Sequence, residues 1–222
     1  MANTRSTPPT LHRPAADPIA AAVTWQPTLF GGEPGCDTTF AGVRRIPLDE
    51  TAWVEHAPGW VRGTDALFDA VVAAAPWEQR RVHMYERVVD EPRLTAWYGS
   101  ALDDPTLPDA VREMTRALSV RYDRSFDGIG AALYRDGRDS VAWHGDRIDP
   151  ALVEPVVALV SLGSRRTLRM RAKEDRRASR AFDLAPGDLF VMGGTSQRTW
   201  EHSVPKVARA GPRLSLQFRH SR

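Results

Sequence analysis

The chain has 222 residues, of which 42% are hydrophobic and 26% charged, an ordinary globular balance that can bury a core. Its one cysteine, Cys36, excludes an internal disulfide framework and suits a reducing compartment. No apolar run is long enough to span a bilayer and no signal-peptide pattern is present, so we expect a soluble, cytoplasmic, monomeric protein with no membrane partner.

Basic residues cluster in one segment, although the net charge of the whole chain is only +2. Between Gly163 and Arg180 the chain carries eight basic residues against two acidic ones, a local charge of +6. Such a patch is typical of a surface that binds a polyanion. A solvated hairpin explains the charge equally well.

The first half of the chain predicts an extension followed by two helices. Residues 1–27 are rich in Pro, Thr, Ala and Arg without periodicity, which predicts a disordered leader. A short strand is expected at Gly42–Ile46. Thr64 is the expected cap of the first helix and Pro108 the start of the second, because apolar residues recur behind both at helical spacing.

The second half predicts short strands separated by turns rich in Gly and Pro. The strands are expected at Ile129–Tyr134, Val141–His144, Val156–Leu162, Thr167–Arg171, Ala181–Leu184, Leu189–Met192, Thr199–Val204 and Arg213–Arg219. Such a series is typical of a sandwich or jelly roll. We therefore predict an α+β fold in which residues 28–222 form one domain, with a jelly-roll core at about 125–220 and two covering helices before it.

A possible metal site lies at His144-Gly145-Asp146. Side chains two apart on a strand share a face, so His144 and Asp146 can meet one ion, and His202 on a later strand can supply a third ligand. Two histidines and one carboxylate form the facial triad of non-haem Fe(II) oxygenases, which leaves positions open for a 2-oxo acid and O2. The alternative is a surface turn, because Asp149-Pro150 follows closely.

The segment Arg213–Arg219 alternates strictly between apolar and polar residues. Its polar face would carry an arginine at each end, which is costly to bury unless an anion pairs with them. 2-Oxoglutarate is a dianion, and a guanidinium group matches a carboxylate with two hydrogen bonds. The alternative is an edge strand whose polar face is solvated.

From about Trp77 to Arg219 the chain resembles the AlkB family of oxidative nucleic-acid dealkylases. The matching motifs, in chain order, are Pro92-Arg93 with Trp97-Tyr98-Gly99, Leu133 to Gly137, Trp143 to Asp146, Val160 to Gly163, Pro186-Gly187-Asp188, Val191 to Gly194, Gln197 to Pro205, and Pro212 to Arg219. Each motif is weak alone, but the ordered set with the family's spacing is specific.

The resemblance implies a double-stranded β-helix (the jelly roll of these enzymes) that uses Fe(II), 2-oxoglutarate and O2. His144, Asp146 and His202 would be the metal ligands. The residues implied at the cosubstrate are Tyr134, Arg213, Ser215 and Arg219, with Arg213 on the distal carboxylate and Arg219 near the metal-bound end. No catalytic residue beyond the metal centre is implied.

The resemblance also implies that the substrate is an alkylated base in DNA or RNA, and hence a role in DNA repair. The candidate substrate contacts are Tyr85, Arg93 and Tyr98, with Arg165 and Arg166 for phosphates. Tyr85 and Trp97 can also be explained as core residues, and for Trp97 the core is the expectation. An aromatic residue could stack on an extruded base.

The sequence departs from the family pattern at three positions. Ala132 and Ser215 stand where relatives have asparagines that touch the cosubstrate, and Ile148 stands where some relatives have an acid linked to base choice. Two other functions therefore stay open: the same oxygenase chemistry on another N-alkylated substrate, and a non-enzymatic jelly-roll binding module.

Overall fold

A computed structural model of the chain describes residues 32–84, 87–100, 104–146, 148–152 and 154–220. The predicted leader and Tyr85 lie outside these ranges. Among the described residues, no helix has the length and apolar character needed to cross a lipid bilayer.

Two helices form where the apolar spacing predicts them. Helix α1 spans Thr64–Ala74 and α2 spans Asp109–Tyr122. The N-cap of α1 is Gly63 rather than the expected Thr64, because that position has a φ of 62°, a conformation that glycine adopts without strain. Helix α1 ends before Ala75, which is extended because a proline follows it.

A seven-stranded antiparallel sheet forms one wall of the domain, in the order β2-β3-β13-β10-β15-β8-β7. Its strands are β2 (Arg44–Pro47), β3 (Ala52–Ala57), β7 (Leu94–Ser100), β8 (Gly128–Tyr134), β10 (Val157–Gly163), β13 (Leu189–Gly194) and β15 (Arg213–Arg219). We call it the major sheet. The sequence did not predict β3 or β7.

A four-stranded sheet faces it, in the order β12-β11-β14-β9, and we call it the minor sheet. Its strands are β9 (Val141–His144), β11 (Arg166–Ala172), β12 (Ser179–Leu184) and β14 (Trp200–Val204). The short helix α3 (Ser196–Thr199) leads into β14. Two small pairs complete the described elements: β1 (Gly35–Cys36) with β4 (Val61–Arg62), and β5 (Arg81–Met84) with β6 (Arg87–Asp90).

Two apolar clusters hold these layers together. The first packs α1 and α2 against the outer face of the major sheet, as Phe68, Met114 and Leu133 illustrate. The second fills the space between the two sheets, with Phe190 from one and Met170 from the other. The predicted jelly roll with one helix-covered sheet is therefore confirmed.

Strand β15 shows how the sequence alternation becomes architecture. Leu214, Leu216 and Phe218 enter the first cluster, beneath the helices. The polar side chains of the same strand turn to the opposite face, between the two sheets. A polar face in the interior of a jelly roll needs partners, and it lines a cavity.

Candidate metal and cosubstrate centre

A cavity of about 840 Å³ lies between the two sheets. Strands β7 and β9, the edge strands of the major and minor sheets, line its two sides. The polar face of β15 forms part of its floor. The residues predicted from the sequence as metal and cosubstrate contacts all line this cavity.

The three candidate metal ligands converge on one wall of the cavity. His144 ends β9 and lies directly opposite His202 on β14, with their ring centroids 4.3 Å apart. Asp146 follows two residues after His144, and its Oδ2 atom is 3.9 Å from His202 Nε2. Residues far apart in sequence therefore present two imidazoles and one carboxylate to the same space.

His144 is oriented by its own strand. Its Nδ1 atom is 2.9 Å from the carbonyl oxygen of Ala142. Because a carbonyl oxygen can only accept a hydrogen bond, Nδ1 carries a proton, and in the neutral ring the lone pair is then on Nε2. This is the tautomer in which an imidazole coordinates a metal ion through Nε2.

Asp146 has one carboxylate oxygen engaged and one without a partner. Oδ1 accepts a hydrogen bond from Arg219 at 2.5 Å, while Oδ2 is buried and has no hydrogen-bond partner among the described residues. Burial alone would raise the pKa of Asp146, but the charge and hydrogen bond of Arg219, together with the nearby His202 and His144, outweigh it and hold the pKa below its usual value. The carboxylate is therefore ionised, as a metal ligand must be.

His202 is held in its neutral form. Burial lowers the pKa of His202 to about 4; the nearby Asp146 opposes this shift, while His144 and Arg219 add to it. A neutral imidazole has a free lone pair and can bind a cation at neutral pH.

The types of donor atom fit Fe(II), although the three side chains are too far apart to coordinate one ion. Two nitrogens and one oxygen are the ligands of the facial triad. The buried Oδ2 of Asp146 has no hydrogen-bond partner among the described residues, so a bound cation would stabilise it. As the side chains stand, no three His, Cys, Asp or Glu residues in the described ranges converge tightly enough to hold a metal outright. Arg219, which draws Asp146 toward itself, gives a physical reason for this.

Arg213 provides the strongest sign of an anionic ligand. Its side chain is 1% exposed, and none of the ion pairs found among the described residues involves it. Its Nε donates to Ser161 Oγ at 3.0 Å, and its guanidinium carbon lies 5.3 Å from the centre of the Tyr134 ring. A buried cation that has only neutral partners is costly unless an anion binds beside it, and a carboxylate of 2-oxoglutarate would meet that need.

Two of the three departures from the family pattern are neighbours in the sheet. Ala132 on β8 lies directly opposite Ser215 on β15, and both line the cavity. Ser161 lies opposite Ser215 on the other side. The floor at this level consequently carries hydroxyl groups and a methyl group rather than amides.

The cavity side of β7 corrects one prediction about substrate contacts. Strand alternation turns Arg93, Thr95 and Trp97 toward the cavity, whereas Tyr98 points into the apolar cluster under the helices and is 5% exposed. Tyr98 is therefore a core residue, and the expectation that Trp97 is core is wrong. Arg93, a candidate substrate contact, lines the cavity and pairs with Glu91 at 3.5 Å.

The indole ring of Trp97 packs directly over two glycines of β8, Gly128 and Gly130. A methyl group added at Gly128 would stand 2.9 Å from its ring, and one added at Gly130 would stand 3.3 Å from it. The indole therefore packs against the backbone of β8 and is still 50% exposed. An exposed aromatic ring held flat at the edge of a cavity is a surface on which a planar group can stack.

The predicted phosphate contacts Arg165 and Arg166 do not reach the cavity. Arg166 is buried and donates to the carbonyl oxygens of Asp136, Asp139 and Pro205. Arg165 is exposed but does not line the cavity. The prediction for Arg166 is wrong, because alternation along β11 turns this arginine inward.

The cavity contains arginines that the sequence did not single out. Arg80 and Arg81 line it beside Arg93, just before and at the start of β5. Gln217 also lines it, on the predicted polar face of β15. The pair Arg80-Arg81 was visible in the sequence, but the longer basic run at 163–180 obscured it.

Comparison with known proteins defines the class. Residues 61–222 match the model of the 2OG-Fe(II) oxygenase superfamily. The fold is similar to that in a structure titled "The structure of OsALKBH1", with a TM-score of 0.55 at 13% identity, over 80% of this chain and 100% of that one. The protein is a 2-oxoglutarate-dependent dioxygenase that uses Fe(II), 2-oxoglutarate and O2.

Curated relatives narrow the class. The alpha-ketoglutarate-dependent dioxygenase alkB homolog 3 of Homo sapiens is 30% identical over 201 residues, which cover 80% of this chain and 70% of that protein. The DNA oxidative demethylase ALKBH2 of Arabidopsis thaliana is 28% identical over 193 residues, covering 69% of this chain and 60% of that protein. The chain belongs to the AlkB-like family.

Proposed function

We propose that this dioxygenase removes alkyl groups oxidatively from damaged bases in DNA or RNA and so contributes to DNA repair. The observation that carries the proposal is Trp97, an exposed ring held flat beside a cavity that also contains the candidate metal ligands. A relative named as a DNA oxidative demethylase supports the choice of substrate.

In this proposal His144, Asp146 and His202 hold Fe(II). With 2-oxoglutarate and O2 bound, the metal supplies the oxidation of an N-alkyl group, whose hydroxylated product breaks down to an aldehyde and the free base. Ionised Asp146 and neutral His202 need no proton removed before they coordinate.

The cosubstrate is held by the floor of the cavity. Arg213 pairs with the distal carboxylate from a position shielded from water, where the attraction is strong. Tyr134 and Ser215 offer hydroxyl groups beside it, since both line the same cavity. Arg219 bonds to Asp146 Oδ1, which leaves Oδ2 for the metal, and lies toward the metal-bound end.

The substrate base enters between β7 and β9. It stacks on Trp97, which brings its alkyl group toward the metal ligands on the opposite wall. Arg93, with the cavity-lining pair Arg80 and Arg81, attracts the adjacent phosphates. Domain limits of 28–222, a monomeric state and a cytoplasmic location remain part of the proposal.

Succinate release in the presence of alkylated and unmodified oligonucleotides, with products identified by mass spectrometry, tests the function. We expect release to be stimulated by alkylated strands and accompanied by loss of the alkyl mass. If 2-oxoglutarate is consumed but no alkylated oligonucleotide is changed, the substrate is another N-alkylated molecule.

The metal assignment has a separate test. Anaerobic Fe(II) with 2-oxoglutarate should give a weak visible charge-transfer band with the wild type and none with His144→Ala. An equally strong band in the variant would exclude His144 as a ligand. The alternative of a non-enzymatic binding module is disfavoured because the chain belongs to a dioxygenase family.

A further inference from the structure

Strand β9, which carries His144, is weakly held. It is an edge strand of the minor sheet and pairs only with β14 in the described part of the chain. That ladder contains a bulge: His202 lies opposite His144 and Val204 opposite Val141, so β9 has one residue more than its partner between these pairs. The ladder alone gives the position of His144 little support.

The residue preceding each ligand histidine points the other way. Trp143 comes directly before His144 and Glu201 directly before His202, and alternation turns both to the outer face of the minor sheet. Neither side chain lines the cavity. A residue that contacts both side chains on the outer face therefore connects the two strands that carry the candidate ligands.

Arg171 makes that contact. It lies opposite Glu201 in the ladder of β11 and β14, and its Nε donates to Glu201 Oε1 at 2.5 Å. Its guanidinium carbon also lies 4.1 Å from the centre of the Trp143 ring, within the range of a cation–π interaction. Arg171 and Glu201 are each less than one-fifth exposed, so water screens the contact only partly.

We propose that Arg171 is a positioning residue of the metal centre, which clasps Trp143 and Glu201 together on the outer face and thereby fixes the spacing of His144 and His202. One planar guanidinium group bonds to the neighbour of one ligand and stacks on the neighbour of the other. The inference rests on the proposed metal ligands and is independent of the substrate.

Co(II) binding to the apoprotein, followed by its visible absorption, measures the effect without requiring turnover. Arg171→Met keeps the apolar stem of the side chain but removes both contacts. It should weaken Co(II) binding about tenfold, the lower end of the loss seen when residues that support metal ligands are removed. Arg171→Lys keeps a positive charge beside Glu201 but cannot stack a planar group on Trp143, so its affinity for Co(II) should lie between those of the wild type and Arg171→Met. Arg169→Met is the matched control: this exposed arginine lies two residues earlier on the same outer face, and it should change Co(II) affinity less than twofold.

Thermal unfolding of each apoprotein separates positioning from folding. We expect Arg171→Met and Arg169→Met to melt within a few degrees of each other while their Co(II) affinities differ. Equal affinities for these two variants, or a loss in Arg171→Met fully explained by unfolded protein, would overturn the inference. If Arg171→Met does not fold, Glu201→Ala removes the acceptor of the same hydrogen bond and must weaken Co(II) binding for the proposal to stand.

Failure of the ligand assignment has a different signature. In that case His144→Ala would bind Co(II) as well as the wild type, whatever Arg171 does. If His144→Ala lowers the affinity for Co(II) but Arg171→Met does not, the metal site stands and only the positioning role of Arg171 is rejected.

Discussion

Arg213 has its guanidinium group in the interior, where Ser161 and Tyr134 are its polar neighbours and none of the ion pairs among the described residues reaches it. Burial lowers the pKa of this arginine, which reflects how poorly its charge is solvated. In the folded protein without a ligand, this buried charge therefore lowers the stability, and a bound anion can remove that cost.

Arg213→Met should remove most of the affinity for 2-oxoglutarate. A missing partner for a buried charge costs about 2–5 kcal/mol, which corresponds to roughly a 30-fold or greater rise in Kd. Without 2-oxoglutarate the variant should be at least as stable as the wild type, because an unpaired buried charge has been replaced by an apolar side chain. Thermal melts with and without 2-oxoglutarate measure both effects.

The exposed Arg209, which does not line the cavity, gives the control variant Arg209→Met. Its melt should shift with 2-oxoglutarate as the wild type does. If Arg213→Met is also stabilised normally by 2-oxoglutarate, the cosubstrate binds elsewhere.

Trp97 and Tyr98 should respond in opposite ways to substitution. Trp97→Ala removes a half-exposed ring and should raise KM for an alkylated oligonucleotide by the worth of one stacked base, about 1–3 kcal/mol, with little effect on unfolding. Tyr98→Phe removes a buried hydroxyl that has no partner among the described residues, and should raise stability by about 1 kcal/mol without changing KM. A KM defect in Tyr98→Phe alone would reverse these assignments.

The same pair shows what the sequence could not decide. Aromatic residues occur at consecutive positions, and only one can face the cavity once the strand forms. The pairing of Trp97 with Gly130 selects which one, and that register is a property of the assembled sheet. Arg166 was misassigned for the same reason, whereas the two faces of Arg213–Arg219 were predicted correctly because the alternation within this segment separates them.

At the level of elements, the turn before β13 is tied to β3 through one carboxylate. Asp188 accepts hydrogen bonds from the backbone N–H groups of Gly59 and Ala185, and its Oδ2 is 2.9 Å from His56 Nε2. Burial would raise the pKa of Asp188, but His56 and the two N–H groups hold it below its usual value. The ionised form is therefore the one that the fold stabilises.

Asp188→Asn should destabilise the protein by about 2 kcal/mol near pH 7, because hydrogen bonds to a charged acceptor are lost. Since the folded pKa is depressed, this contribution is fully present above the unfolded pKa of about 3.9 and disappears as the pH falls through the folded value. Urea unfolding of both proteins from pH 7 to pH 3 should show the difference narrowing at the acidic end. The exposed Asp183 provides the control Asp183→Asn, for which a difference as large would contradict the role of burial.

Local pattern predicted these elements better than it predicted their irregularities. The limits of β9 and β15 are those expected from the sequence, and both helices begin within one residue of expectation. The bulge in β9 was not predicted, because it arises where Ser203 faces two residues of the partner strand. The candidate metal ligands were predicted from spacing and family motifs, whereas the contacts of Arg171 behind them depend on the pairing of β11 with β14.

For the molecule as a whole, the structure separates two basic surfaces. Arg80, Arg81 and Arg93 line the cavity, whereas none of the basic side chains between Gly163 and Arg180 does. Part of the basic run is also neutralised or internal, since Arg171 pairs with Glu201.

Charge reversal at the cavity, Arg80→Glu with Arg81→Glu, should raise KM for a short alkylated oligonucleotide and flatten its dependence on salt. Each phosphate contact that is lost should reduce the slope of log KM against log salt by about one. The matched reversal, Arg176→Glu with Arg177→Glu, lies on the β11–β12 hairpin outside the cavity and should leave both quantities nearly unchanged. A larger effect from the hairpin variant would return the phosphate contacts to that segment.

The place of β15 in the major sheet governs when an active molecule can exist during synthesis. This strand lies between β8 and β10, both of which are translated earlier, so each waits with an open edge until residue 219 has been made. Pairing of segments so distant in sequence is slow, and open edges attract other chains meanwhile. Because β15 also carries Arg213 and Arg219, these two candidate cosubstrate contacts reach the cavity in the same step that closes the sheet.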